Sequence, residues 1–354
     1  MSRRRLVEQF IEAGHEVHLI APVAADDSSL HGLPVVYHPL ERLSRSGKGL
    51  LQNVGLFLEL RRILRRAAIE TVFLFNIKPV IFGSFAARSL GITAVSTITG
   101  TGNVFLQNRF LSSSLLLLYR LALRGNRTVF LQNEDDYQSF LRLGLVRQDQ
   151  TKIVGGAGVD LSQYQPVPLQ NEHHFLFIGR LLEDKGIREF VDAAEQVHAQ
   201  YPEARFTIVG DSDPLNAKGV TAATIAKWRK KVYLNIVGQQ RDVRPSIEAA
   251  TWVVLPSYQE GLPRVLLEGA AMGRPLLATD VPGCREVVQH GVNGFLVPKE
   301  DAVRLAAQMM DCLQMKLPAI AALGAAARQR VEERFSATRV NLSYLQEIGN
   351  ASQN

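Results

Sequence analysis

Cysteine, long apolar runs and metal-binding spacings are all scarce in this sequence. Its 354 residues include only Cys284 and Cys312, too few for a disulfide framework, and no His or Cys spacing typical of zinc. No stretch approaches the roughly 18 uncharged apolar residues of a membrane-spanning helix. Glu8 and Glu12 interrupt the apolar region that a signal peptide would need. We therefore expect a cytosolic protein without disulfides or structural zinc.

The excess positive charge lies in the first half. Residues 1–150 contain 18 Lys and Arg against 12 Asp and Glu, whereas residues 151–354 contain 22 of each. An anionic partner such as lipid headgroups or a diphosphate would suit the first half, and on charge alone a solvated basic surface explains it equally well. No basic and aromatic platform accompanies the charge, so we do not expect nucleic-acid binding.

Short β-branched runs alternate with helical stretches along the whole chain, which predicts βαβ units and parallel sheets. The predicted strands are 17–21, 71–75, 93–97, 128–132, 175–179, 205–210, 232–238, 251–256, 275–279 and 294–298. Helices are predicted at 3–13, 49–66, 79–90, 111–124 and 134–143. A proline-bearing linker at 160–174 separates two doubly wound, Rossmann-like domains, residues 1–165 and 166–335, followed by a C-terminal segment, 336–354.

The start of the first domain departs from this pattern. Doubly wound sheets normally begin with a central strand and a glycine-containing turn aimed at the ligand. Here the chain opens on a helix that Gly14 closes, and only then reaches the strand at 17–21. We expect that the sequence begins inside its first βα unit, with the first β-strand of the N-terminal domain missing.

Two glutamates eight residues apart mark the strongest candidate site. The segment SYQEGLPRVLLEGAAMG at 257–273 contains Glu260 and Glu268, and the second lies among apolar residues, where an unpaired charge is costly. Glu260 follows a predicted strand at the sheet edge where open α/β sheets bind ligands. An exposed loop acid and a surface helix position would be the alternative, but the apolar neighbours of Glu268 fit it poorly.

The helix after Glu260 predicts a diphosphate site. Pro263 suits its first turn, and backbone N–H groups there would be free to bind an anion. These are the groups of Gly261, Leu262 and Arg264. Glu268 lies five residues after Pro263, about 7.5 Å further along the helix axis, where its carboxylate suits the vicinal diol of a ribose. Glu260 suits sugar hydroxyls beyond the diphosphate, so the motif indicates a nucleotide sugar.

The stretch from 257 to 298 resembles the C-terminal signature of glycosyltransferase family 4, whose E-x7-E motif matches Glu260 and Glu268. The resemblance implies a GT-B fold, with two Rossmann-like domains facing across a cleft, and a retaining enzyme that uses a nucleotide sugar. VGDSDPLNAKG at 209–219 and Trp228 resemble transferases that add a hexosamine to polyprenyl-diphosphate-linked sugars in surface-glycan assembly. The last segment, 336–354, would then cross back onto the first domain.

The resemblance also assigns residues. Arg180 and Lys185, after the strand that ends at Gly179, would bind the donor diphosphate and stabilise the leaving group, with Glu260 the third catalytic residue. The loop at 237–239 would meet the nucleobase, although a plain turn explains it nearly as well; its residues are Val237, Gly238 and Gln239. Asp211-Ser212-Asp213 could suggest a metal, but the two cations already supply positive charge, so we expect no metal and no cofactor.

The resemblance implies that the N-terminal domain binds the acceptor. The segment STITGTGNVFLQNRF at 96–110 follows a strand and predicts acceptor contacts by Gly100, Thr101, Gly102 and Asn103. It has no histidine, so no general base is assigned; the resemblance implies that the leaving phosphate takes the proton. It also lacks the third glycine of a dinucleotide-binding fingerprint, which argues against hydride chemistry.

Two arginine-bearing, leucine-rich stretches, 49–68 and 109–127, could lie on the inner face of the cytoplasmic membrane. Each taken alone is better explained by a core-facing helix with a solvated back. A lipid-linked acceptor and the one-sided charge favour the membrane. The hypothesis is a peripheral transferase; the alternative is a truncated, inactive protein that only binds nucleotide sugar.

Gly269 is a further departure from the family pattern, because the family commonly has alanine there and glycine costs about 1 kcal/mol in a helix.

Overall fold

The computed structural model describes residues 3–22, 32–43, 50–100, 109–169, 173–213 and 216–349. The chain divides into two compact units, Met1–Ala157 with Ala337–Asn354, and Gly158–Ser336. The division falls earlier than the predicted boundary at 165. The reason is that the backbone N–H of Val159 donates to the carbonyl of Phe335 (2.9 Å), which ties the start of the linker to the second unit.

The first unit is built from parallel strands and helices. Its strands are β1 Val17–Pro22, β2 Val35–Leu40, β3 Thr71–Phe75, β4 Thr93–Thr97, β5 Thr128–Leu131 and β6 Thr151–Ile153. Its helices are α1 Arg4–Glu12, α2 Leu50–Arg66, α3 Ser84–Arg88, α4 Arg109–Leu123, α5 Glu134–Arg142 and α13 Ala337–Gly349. In the described residues, β1 pairs with β2, and a second sheet has the order β3-β4-β5-β6, with every pairing parallel.

The C-terminal helix α13 is part of the first unit, held by both apolar and polar contacts. The ring of Tyr344 is fully buried, 4.8 Å from that of Phe130, and its hydroxyl is hydrogen-bonded to Thr97 (3.1 Å). Glu347, 1% exposed, accepts from the hydroxyl of Thr128 (2.6 Å) and from Lys152 Nζ (2.7 Å). A buried carboxylate with two donors is satisfied, so α13 is anchored to β5 and β6.

The second unit is a doubly wound parallel sheet. Its strands are β7 His174–Ile178, β8 Arg205–Val209, β9 Leu234–Gly238, β10 Trp252–Leu255, β11 Leu276–Thr279 and β12 Gly294–Val297. Its helices are α6 Ile187–Gln200, α7 Ala222–Trp228, α8 Arg244–Ala249, α9 Arg264–Ala271, α10 Pro282–Val287, α11 Ala302–Leu313 and α12 Leu317–Arg334. The strand order is β12-β11-β10-β7-β8-β9, so the order reverses between β7 and β10. Open α/β sheets bind ligands at such a reversal.

Close packing explains the glycine in α9. A Cβ added to Gly269 would lie 2.7 Å from Cγ2 of Val253, a fully buried residue of β10. The helix therefore approaches the strand more closely than alanine allows. The departure from the family pattern at this position has a structural reason, because the loss in helix propensity is offset by contact with the sheet.

Candidate functional site

The carboxyl ends of strands β7, β8 and β9 of the second unit lie side by side at one sheet edge. The backbone N–H of Gly179 donates to Val209 O (3.0 Å), and that of Gly210 donates to Gly238 O (2.9 Å). A Cβ on Gly210, whose φ is +151°, would lie 1.8 Å from the carbonyl oxygen of Gly179. Glycine is therefore required where these two strand exits meet. The loops that leave this edge carry the predicted donor-binding residues.

Lys185 and Glu260 meet at this edge, although 75 residues separate them. Lys185 Nζ donates to Glu260 Oε1 at 2.5 Å, and the Ser257 hydroxyl donates to the same oxygen at 2.7 Å. The Glu260 side chain is 11% exposed and that of Lys185 is 24% exposed. A cation and a carboxylate, both partly shielded from water, thus lie together where a ligand could replace part of their contact.

Backbone contacts hold the two loops of this pair in place. The N–H of Tyr258 donates to Asp184 O (2.9 Å), which joins the loop after β10 to the loop after β7. The Thr279 hydroxyl donates to the carbonyl of Ser257. A Cβ on Gly283 would lie 2.5 Å from Gly261 O, so the start of α10 also packs tightly on the glutamate loop. The position of Glu260 is therefore fixed from three sides.

Arg180 is the more exposed of the two predicted cations. Its side chain is 60% exposed, and its guanidinium lies 3.6 Å from Oδ2 of Asp213. This distance is an ion pair and too long for a hydrogen bond. Asp213 thus faces an arginine. Within the part of the chain that the structure describes, no group of three or more His, Cys, Asp or Glu is arranged to hold a metal ion.

The helix after the glutamate loop begins one residue later than predicted. Pro263 is the residue before helix α9 and has φ −77° and ψ 112°, outside the helical range. Its carbonyl accepts from the N–H of Leu266 (3.2 Å), so Arg264 is the first helical residue. Leu262 and Arg264 flank this N-terminus, and the positive end of the helix dipole faces the loop of Glu260 and Gly261.

Glu268 is buried in α9 but is not unpaired. The residue is 6% exposed, and its Oε1 accepts from Nε of Arg264 (2.6 Å) and from the hydroxyl of Tyr164 (3.0 Å). Arg264 is thus a side-chain partner of Glu268 one helical turn earlier, in addition to its predicted backbone role. The apolar run therefore accommodates the charge through one cation and one hydroxyl.

The predicted nucleobase loop lies at the end of β9. Val237 and Gly238 are the last residues of this strand, and Gly238 has φ +85°, which favours glycine. The side chains of Val237 and Gln239 are exposed. In the first unit, Gly100 has φ +126° after strand β4. Thr101, Gly102 and Asn103 lie outside the described residues.

Two residues of the site were missed by sequence reasoning. Ser257 was visible in the strand-exit loop, and its position three residues before Glu260 is a usable signal for a hydroxyl that could bond the carboxylate. Tyr164 offered no such signal, because 104 residues separate it from Glu268. Only the fold brings it there.

Comparison with known proteins matches both halves of the chain. A family model described as "Glycosyl transferase 4-like domain" matches residues 2–156, and one described as "Glycosyl transferases group 1" matches residues 172–315. The two models thus correspond to the first and second units.

Two curated relatives act on undecaprenyl-diphosphate-linked sugars. The N,N'-diacetylbacillosaminyl-diphospho-undecaprenol alpha-1,3-N-acetylgalactosaminyltransferase of Campylobacter jejuni is 23% identical, over 88% of this chain and 85% of the relative. The UDP-Gal:alpha-D-GlcNAc-diphosphoundecaprenol alpha-1,3-galactosyltransferase of Escherichia coli is 27% identical, over 71% of this chain and 68% of the relative.

Among solved structures, Anabaena Alr3699/HepE in complex with UDP-glucose aligns with a TM-score of 0.81. The alignment covers 99% of this chain and 96% of that one at 19% identity. Sucrose-phosphate synthase from Thermosynechococcus elongatus also gives a TM-score of 0.81, at 21% identity over 98% and 92% of the two chains. The expected GT-B fold is thus confirmed.

Proposed function

Because the chain belongs to the group 1 glycosyltransferases, we propose that it transfers a hexose or N-acetylhexosamine from a UDP-sugar to a polyprenyl-diphosphate-linked glycan. The transfer would retain the anomeric configuration and serve the assembly of surface polysaccharide. The names of the two curated relatives support the donor and the acceptor class. The observation that carries the proposal is the meeting of Lys185, Glu260 and the start of α9 at one sheet edge.

The geometry suggests how the donor would bind. The diphosphate would lie between Lys185 and Arg180 on one side and the N-terminus of α9 on the other. It would compete with Glu260 for Lys185, and the released carboxylate oxygen would accept from hydroxyls of the transferred sugar. Arg180, which is exposed, can turn from Asp213 to the diphosphate. The nucleobase would contact Val237, Gly238 and Gln239.

The reaction breaks one bond and forms one. The bond from the anomeric carbon to the β-phosphate oxygen breaks, and its electron pair remains on UDP. The acceptor hydroxyl bonds to the anomeric carbon from the same face, and its proton passes to the departing phosphate oxygen. Lys185 and Arg180 stabilise the charge that develops on this phosphate. We propose that these cations make a metal unnecessary; EDTA should leave the rate unchanged, and loss of activity restored by Mg²⁺ would refute this part.

We also propose that the first unit binds the inner face of the cytoplasmic membrane. On α2, Val54 (48% exposed) and Leu58 (53%) lie one turn apart, and the exposed Arg65 continues the same stripe. On α4, Leu117 (56%) and Leu121 (43%) are arranged in the same way. Arg124 is exposed and follows them.

A cavity of about 360 Å³ lies between these two helices and α3. It is lined by Asn53, Val54, Phe57, Phe82, Phe85 and Leu118. Exposed apolar side chains next to arginines fit a surface that inserts into lipid while contacting headgroup phosphates. No helix of the described residues is long and apolar enough to span a bilayer.

Co-sedimentation with vesicles tests the membrane surface. We expect binding to vesicles that contain phosphatidylglycerol, weakened by salt and by the double substitution Leu58→Ser, Leu121→Ser. Leu342 of α13 is equally exposed, at 51%, and its substitution by serine serves as the control. Equal binding of all three proteins would contradict the proposed surface.

The transfer is tested with UDP-sugars and a synthetic polyprenyl-diphosphate monosaccharide. We expect a lipid-linked disaccharide and UDP in equal amounts. Glu260→Gln should lower kcat by about 100-fold or more, the size of effect seen when one transition-state contact is removed. UDP binding should change much less. Binding of UDP with no product from any donor and acceptor would favour the alternative, a protein that only binds nucleotide sugar.

A further inference from the structure

Tyr164 reaches Glu268 from the segment that opens the second unit. Its hydroxyl donates to Glu268 Oε1 at 3.0 Å, across 104 residues of chain. Arg264 Nε donates to the same oxygen at 2.6 Å. A carboxylate oxygen has two lone-pair positions, so Oε1 is fully used. The described residues donate no hydrogen bond to Oε2 of Glu268.

Other contacts fix where the Tyr164 ring stands. One guanidinium nitrogen of Arg328 donates to Tyr164 O (2.7 Å) and to Ala271 O (2.6 Å), which ties the tyrosine backbone to the end of α9. The N–H of Tyr164 donates to Asp160 O (3.0 Å). Its ring packs against the buried apolar cluster that contains Val159. The hydroxyl is therefore held at Glu268 by the backbone and by packing, independently of any ligand.

We infer that Tyr164 is a positioning residue: with Arg264 it occupies Oε1 of Glu268, so that Oε2 is left to accept the two ribose hydroxyls of the nucleotide. The inference rests on the proposed function, because it deepens the role of Glu268 in donor binding. It makes Tyr164 a determinant of the preference for a ribonucleotide over a 2′-deoxyribonucleotide.

The chemistry of the tyrosine suits this role. Burial, and then the charge of Glu268, raise the pKa of Tyr164 to about 12. The hydroxyl therefore stays protonated and donates at any physiological pH. A phenylalanine would keep the ring and its packing while removing only the donor, and Arg264 alone would then hold Oε1 of Glu268, so the carboxylate would be less firmly oriented.

The test compares UDP with 2′-deoxy-UDP by calorimetry. Wild-type protein should bind UDP more tightly. In Tyr164→Phe, UDP affinity should fall by roughly tenfold, about the factor that one hydrogen bond to a charged group supplies. The affinity for 2′-deoxy-UDP should fall less, so the ratio of the two affinities shrinks. Thermal unfolding of each protein checks that the variant is folded.

A matched control is available in the same unit. The hydroxyl of Tyr201 accepts from Nε2 of Gln314 (3.2 Å), and Tyr201→Phe should leave the ratio unchanged. If Tyr164→Phe leaves the ratio at its wild-type value, or weakens both ligands equally, Tyr164 does not position Glu268 and the inference fails. If wild-type protein binds both nucleotides equally, the ribose contact of Glu268 in the proposed function fails as well.

Discussion

Replacing Gly269 with alanine places two physical effects in opposition. Alanine gains about 1 kcal/mol in helix propensity over glycine. The added Cβ, however, would lie 2.7 Å from Cγ2 and 3.0 Å from Cβ of Val253, which is buried and β-branched and cannot turn away. Overpacking of this kind costs about 1–3 kcal/mol. We therefore expect Gly269→Ala to lower the free energy of unfolding of the second unit by about 0–2 kcal/mol.

Urea unfolding followed by tryptophan fluorescence measures this unit selectively. The chain has two tryptophans, and both Trp228 and Trp252 lie in the second unit. In a Val253→Ala background both γ-methyl groups are removed and only the 3.0 Å contact with Cβ remains. Gly269→Ala should then destabilise less than in the wild-type protein, or stabilise by up to about 1 kcal/mol. A stabilisation of that size in the otherwise wild-type protein would refute the close approach of α9 to β10.

Two further predictions concern polar contacts. Ser257→Ala removes one of the two side-chain hydrogen bonds that the described residues donate to Glu260. We expect kcat/KM to fall by about 10–100-fold, while calorimetry finds UDP affinity nearly unchanged. Wild-type activity would contradict the positioning of Glu260. Lys152→Met leaves Glu347, which is 1% exposed, with Thr128 as its remaining donor among the described residues. Because the lysine is half exposed, we expect a loss of about 1–3 kcal/mol, seen as faster hydrogen exchange in α13; unchanged exchange would show that the pair contributes little.

Local sequence patterns predicted the regular strands well. The apolar runs that became β4, β5 and β10 are short, rich in β-branched residues and buried, so composition alone identified them. Strand β2, Val35–Leu40, was missed because Pro39 and its largely unburied residues resemble a loop. Strand β6 has three residues, two of them exposed, and so short a segment cannot show the alternation of apolar and polar residues that identifies a strand. The predicted helix at 79–90 begins as a π-helical turn, Pro79–Gly83, which no pattern indicated.

The predicted donor-binding loops of the second unit lie at one sheet edge for a reason that sequence can reveal: each follows a parallel strand. Their pairings could not be predicted in the same way. The bond between Lys185 and Glu260 and the bond between Tyr164 and Glu268 depend on strand order and on the path of the linker. The need for glycine at position 283 is likewise seen only in the folded structure, where the carbonyl oxygen of Gly261 lies too close to allow a Cβ.

The anomeric configuration of the transferred sugar tests the central claim most directly. Purified protein would be supplied with an α-linked UDP-sugar and a polyprenyl-diphosphate monosaccharide, and the new linkage examined by NMR coupling constants. The proposed front-side transfer, which the family resemblance implies and in which Lys185 and Arg180 would stabilise the departing diphosphate, predicts an α-linked product with retention. A β-linked product would mean attack from the opposite face and would contradict the account.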